Sequence, residues 1–183
     1  MYRRTLRYRA APAKSIRGRR ELDVNTQNMN KETALHAASD RGHEEIVRLL
    51  LRTPAIEVNV WNERKKTALH LAVENGHKQV VSALLGHPGI NINAGVNWIM
   101  YRRAALLHAS KTGNARVLRL LLSFPDINVN TRDNYKDTAL HHASKRGHVP
   151  VVQLLLDFPR IDVNARNEIG DTALHYAVKA AAK

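Results

Sequence analysis

TALHAASDRGHEEIVRLLLRTPAIEVN, residues 33 to 59, is a phrase that this chain restarts again and again. TALHLAV (67–73), TALHHAS (138–144) and TALHYAV (172–178) open the later copies. AALLHAS (104–110) is a worn copy, with Ala for Thr and Leu for the first His. The starts at Thr33, Thr67, Ala104, Thr138 and Thr172 are 34, 37, 34 and 34 residues apart. A period of this size marks a row of stacked supersecondary units, none of which can bury its apolar face alone.

One unit explains why it recurs. Thr33 is placed to cap a helix, its hydroxyl accepting from a backbone N–H that would otherwise lack a partner. Ala34, Leu35, Ala37 and Ala38 then predict a short helix whose small residues let a neighbour come close. Gly42 supplies the left-handed residue that ends it. After His43, Glu44 and Glu45 suit the positive end of a second helix, and Ile46, Val47, Leu49, Leu50 and Leu51 predict its broad apolar face. Pro54 stops that helix, and Ile56, Val58 and Asn59 lead through an extended turn to Thr67. The same order returns in GHKQVVSALLGHPGININ (76–93), GNARVLRLLLSFPDINVN (113–130) and GHVPVVQLLLDFPRIDVN (147–164). By this registry Leu120 is expected in the core of the third unit.

The T-x-L-H-x-A phrase, the G-H before the second helix and the V-N after it resemble ankyrin repeats. The likeness covers residues 21–183, as four full units and the first helix of a fifth. It implies an all-α fold, an ankyrin-repeat solenoid of stacked helix-turn-helix units with β-hairpin-like loops. There are departures. Ala follows Thr where the family usually has Pro, and Pro54, Pro88, Pro125 and Pro159 occupy a turn one residue longer than usual. The glycine two before Thr survives only as Gly170, with Lys31, Lys65, Arg102 and Lys136 elsewhere, so differently shaped and more basic hairpin tips are expected. Residues 21–25 read as the close of an earlier unit, and no second helix follows Tyr176. The expectation is a segment of a longer protein.

The net charge of +13 is uneven. Residues 1–20 hold eight Arg/Lys and no acid, and read as a basic tail, either disordered or a degenerate repeat. An organelle-targeting peptide is the alternative reading of that tail. Residues 75–125 contain no Asp or Glu, against Lys78, Arg102, Arg103, Lys111, Arg116 and Arg119. No cysteine occurs, which excludes disulfides and fits a reducing compartment, so cytoplasm or nucleus is expected. No apolar run approaches the roughly 20 residues of a membrane span.

Catalytic chemistry finds no footing. His36, His70, His141 and His175 fill the fourth place of the repeated phrase, while His43, His77 and His148 follow the helix-ending Gly. They are expected to hydrogen-bond within the array. His141, His142 and His148 lack the spacing and third ligand of a zinc site, and no phosphate loop or nucleophile elbow is present. No catalytic, cofactor or metal residue is assigned. The resemblance implies one modification: Asn59 and Asn164, in LRTPAIEVN and LDFPRIDVN, look like ankyrin asparagines that are hydroxylated in animal cells. The plainer reading is that they order the turn.

In ankyrin arrays the hairpin tips and first helices form a concave face that usually binds proteins. Carried over by position, that face offers Arg64, Lys66, Met100, Tyr101, Arg103, Lys111, Tyr135, Lys145 and Arg146, with Trp98 on the three-residue insertion before Ala104. Aromatics and Arg dominate binding energies, and a basic surface steers an acidic partner. For Trp98 two readings compete, a contact on a longer finger or a cover over an irregular unit. Trp61 is expected to pack under the second hairpin. The expectation is a non-catalytic, monomeric scaffold that binds another protein, preferably acidic, across units two to four. A nucleic-acid-associated module and a structural spacer are the alternatives. The former is weakened because Arg116 and Arg119 fall on a second helix, away from the concave face.

Overall fold

The structure, a computed structural model, describes residues 23–95 and 104–181. The expectations for Trp98, Met100, Tyr101, Arg103 and the basic tail lie outside the described residues. Nine helices are described, in the order α1 Ala34–Arg41, α2 Glu44–Leu51, α3 Ala68–Glu74, α4 Lys78–Leu85, α5 Ala105–Thr112, α6 Ala115–Leu122, α7 Ala139–Lys145, α8 Val149–Leu156 and α9 Ala173–Ala181. None exceeds nine residues, too short to hold without packing. The odd-numbered helices pack one on the next as a layer, α2, α4, α6 and α8 pack as a second layer, and each unit's two helices lie against each other. This is an all-α repeat solenoid. Among the described residues the only β pairing is an isolated bridge between Arg132 and Thr138.

The seam between units decides which leucines are buried. On the second helices, Val80, Val117 and Val151 are fully enclosed, whereas Ile46 at the same place in α2 is 49% exposed. Leu49 is 64% exposed. The broad face expected of α2 is therefore corrected: Val47 alone is fully buried, because no described unit stacks on the outer side of this helix. Leu120 is corrected too. It packs half-buried against the core, while its neighbours Leu118 and Leu121 are completely enclosed. Residues at i and i+3 share a helix face, and the buried stripe of α6 runs through Leu118 and Leu121.

Four of the five first helices open on the same Thr–His bond, which is reciprocal in α1, α3 and α7. The backbone N–H of Thr33, Thr67, Thr138 and Thr172 donates to Nδ1 of the His three residues later, at 3.2 Å in all four. His thus takes the part that Glu or Gln plays in a capping box. Its other nitrogen reaches the next unit, His36 Nε2–H to the Lys66 carbonyl at 3.2 Å and His141 Nε2–H to that of Asp171 at 3.1 Å. Ala104, the worn copy, has no side-chain cap, a loss of about 1 kcal/mol, and Leu107 replaces the bonding His with a buried apolar side chain.

Burial pushes the His36 imidazole below its ordinary value, against the raising pull of the Lys66 carbonyl. The unfolded chain therefore takes up this proton first as pH drops below about 6.5. The stabilisation is complete above that pH and is lost as pH falls through the folded-state value. Urea midpoints measured through the weakly acid range are expected to decline in the wild type and to decline less in His36→Leu. Equal slopes would show that His36 carries none of the acid sensitivity.

A second lattice joins the turns. Asn59 donates from Nδ2 to the Gly89 carbonyl at 2.7 Å and accepts the Asn91 N–H at 2.8 Å. Asn25, Asn93 and Asn130 make the corresponding pairs with the units that follow them. Asn59→Ala removes two bonds worth about 1 kcal/mol each, so a loss of about 2 kcal/mol is expected in equilibrium denaturation. Asn164 is exposed and its side chain makes no such pair among the described residues, and Asn164→Ala is expected to be nearly silent.

Candidate functional site: the hairpin and first-helix face

The described hairpins that precede the first helices are each built around an Asn or Asp. Asn28 Oδ1 accepts from the N–H of Asn30 and Glu32, Asp133 Oδ1 from Tyr135 and Asp137, and Asn167 Oδ1 from Ile169 and Asp171. Asn62 holds Lys66 in the same way. Sequence reasoning passed over these four residues. Their signal was an Asn or Asp five residues before each capping Thr, a side chain that folds its own turn. Differently shaped tips were expected where Lys replaces Gly, and the structure corrects this. Lys31, Lys65 and Lys136 adopt φ of 57°, 56° and 59°, in the left-handed region that Gly170 occupies at 82°. The Asn28, Asn62 and Asp133 side-chain bonds hold the strained backbone. Consecutive tips are then linked, Glu63 N–H to the Asn30 carbonyl and Glu168 N–H to the Tyr135 carbonyl, each at 2.9 Å.

This ladder sets the exposed row. Tyr135 is 68% exposed and Ile169 74%, at matching places on neighbouring tips. Arg64 is exposed on the second tip, and Lys111, Lys145 and Arg146 are exposed at the ends of the first helices behind the row. Lys145 reaches across to the next unit, its Nζ 5.0 Å from the centre of the Tyr176 ring. Trp61 is half-buried with its ring 5.6 Å from that of His70, so it packs inward.

Three acids on this face, Glu74, Asp133 and Asp171, are matched locally. Glu74 bonds the Lys66 ammonium and lies 3.6 Å from Nδ1 of His108 in the following unit. Lys66 is thereby half-buried and engaged, unlike the exposed Arg64, Lys111 and Arg146. His142 Nε2 lies 2.9 Å from Asp133 Oδ2. Burial alone would raise the Asp133 carboxyl, but the hydrogen bond and charge of His142 and the backbone N–H groups outweigh it and hold it below the ordinary value. Lys179 pairs with Asp171 at 2.5 Å and lowers that carboxyl. Among the described residues, Arg64, Lys111 and Arg146 form no ion pair of this kind.

Asp133, Asp137 and His142 bring three possible metal-ligand atoms within 4.8 Å of one another. These groups already bond one another and their neighbours: Asp133 closes its hairpin and bonds His142 Nε2, and Asp137 accepts from Asn167 Nδ2 at 2.9 Å. The cluster is accounted for as a clasp between hairpin, helix and following unit. No described helix is long and apolar enough to cross a membrane.

Comparison with protein-family models finds one match, described as Ankyrin repeats (3 copies), over residues 13–96 and 106–183. The match begins inside the stretch read from sequence as the basic tail. No curated protein matches the chain.

Proposed function

We propose, from the premise that this chain belongs to the ankyrin-repeat family, that it is a scaffold which grips an acidic protein partner along its hairpin tips and first helices. Ankyrin repeats are generally non-catalytic modules of protein–protein interaction, and the two-layer stack leaves one side free for that purpose. One observation carries the reading: Tyr135 and Ile169 are exposed on adjacent tips, backed by outward cations at Lys111, Lys145 and Arg146, while Glu74, Asp133 and Asp171 are held by local partners. An apolar anchor ringed by charge is the composition of an interaction hot spot. Arg64 extends the row towards the second unit. Trp98, Met100, Tyr101 and Arg103, which the sequence places in the third hairpin, lie between Arg64 and Tyr135 in chain order and belong to the same reading. Binding here needs no covalent chemistry and no cofactor.

Affinity purification with the wild type and with a Tyr135→Ala, Arg146→Glu variant tests this. The variant is expected to lose partners that the wild type retains, with an affinity drop of at least about tenfold. Identical capture by both would remove these tips from the binding surface. The nucleic-acid alternative draws on Arg116 and Arg119, which lie on α6 in the other layer, so no single face unites them with Lys111 and Arg146.

A further inference from the structure

We infer that the outward groove between α4 and α6 is a second docking surface, shaped for an acidic peptide segment that carries an apolar side chain. The groove has a volume of about 290 Å3 and is lined by Lys78, Arg116 and Arg119 over Ala115 and Leu120. Its walls are basic and its floor is apolar. None of the three cations forms an ion pair among the described residues, and the two helices with their flanks, 75–95 and 104–125, contain no acid. Leu120, half-buried where a fully enclosed leucine was expected, presents part of its side chain to this groove.

The patch is bounded on both sides. In α2, Glu44 and Glu45 stand where α6 has Ala115 and Arg116, and Glu44 neutralises Arg48 at 2.9 Å. In α8 the matching residues are Val149, Pro150 and Gln153, without charge. Across α4 a neighbouring groove of about 340 Å3 adds Arg52 and His87. Positive potential on the second-helix layer is therefore concentrated around α4, in the units that also carry the insertion. Uncompensated charge of one sign over a concave surface attracts and orients an oppositely charged partner.

The occupant follows from shape. A groove one helix pair wide, with an apolar floor, admits a side chain rather than a duplex. Single-stranded nucleic acid binds through base stacking on aromatic rings. The described second-helix layer exposes none, since Phe124 and Phe158 are half-buried against the core. A peptide of carboxylates around an apolar residue satisfies both walls and floor. This surface lies on the opposite layer from the hairpin row, so it stands or falls apart from the reading above.

The probe is a fluorescein-labelled peptide of glutamates around a central leucine, titrated with the full chain and followed by anisotropy at two salt concentrations. Saturable binding is expected that weakens with salt, falls at least about tenfold in R116E/R119E, and weakens when glutamine replaces the leucine. An Arg166→Glu variant, a charge reversal at an exposed site outside both surfaces, is expected to bind as the wild type does. Unchanged binding by R116E/R119E would overturn the proposal, as would an equal fall in Arg166→Glu. Labelled oligothymidylate that binds more tightly than the peptide and is released by R116E/R119E would overturn the peptide assignment in favour of nucleic acid. Both arginines are exposed, and circular dichroism checks that the charge reversals leave the fold intact. If they do not, R116Q/R119Q carries the same test.

Discussion

Leu121→Ala is expected to destabilise the array by about 2–5 kcal/mol, the range for emptying a fully enclosed leucine site. Leu121 has no exposed surface and lies in the second helix of the third unit, between α4 and α8. Both neighbours are held by their own contacts, so the space cannot simply collapse. Leu120→Ala in the same helix is expected to cost distinctly less, because part of that side chain already faces water. Urea denaturation of the two variants, with the slope monitored for loss of cooperativity between units, measures the difference. Equal losses would mean that the buried stripe of α6 has been placed one residue out of register.

Gly113→Ala is the next largest expected loss, and its contrast with Gly147→Ala isolates the cause. Both glycines end a first helix in the left-handed region, with φ of 73° and 68°. Placing a β-carbon there costs about 1–2 kcal/mol at either site. At Gly113 the new carbon would also stand 2.7 Å from the His148 ring, whereas at Gly147 nothing lies within 4 Å. His148 cannot easily retreat, since its Nε2 donates to the Lys111 carbonyl at 3.2 Å. Overpacking of this kind adds about 1–3 kcal/mol. Thermal or urea melts are expected to rank Gly113→Ala well below Gly147→Ala. Matching losses would assign the whole effect to backbone strain and none to the His that roofs the turn.

Much of this molecule is legible without coordinates because its period is local. Thr33, Gly42 and the apolar run after His43 announce a helix, its end and a second helix, and the structure has them in that order. The repeated His was expected to hydrogen-bond within the array, and the structure pairs it with its Thr. Legibility stops where a residue's fate depends on something outside its own unit. Ile46 and Val80 occupy one position in one pattern, yet one is half in water and the other enclosed. Lys66 and Arg64 read alike as basic tip residues. Only the approach of Glu74 across the hairpin separates the engaged one from the exposed one. Asn59 was read as ordering its own turn, but its amide joins that turn to the next. The Lys31, Lys65 and Lys136 backbones show the converse: side-chain bonds from Asn28, Asn62 and Asp133 impose the glycine-like turn that composition argued against.

By itself, the order of residues determined the helix pairs, their boundaries and the family, because capping, helix-ending glycines and apolar spacing act within a few residues of one another. Tertiary structure alone decided which leucines are fully enclosed, which acids are matched, and which cations remain on the surface. Burial and ion pairing are properties of the seam between units, and a seam exists only once two copies of the phrase are stacked.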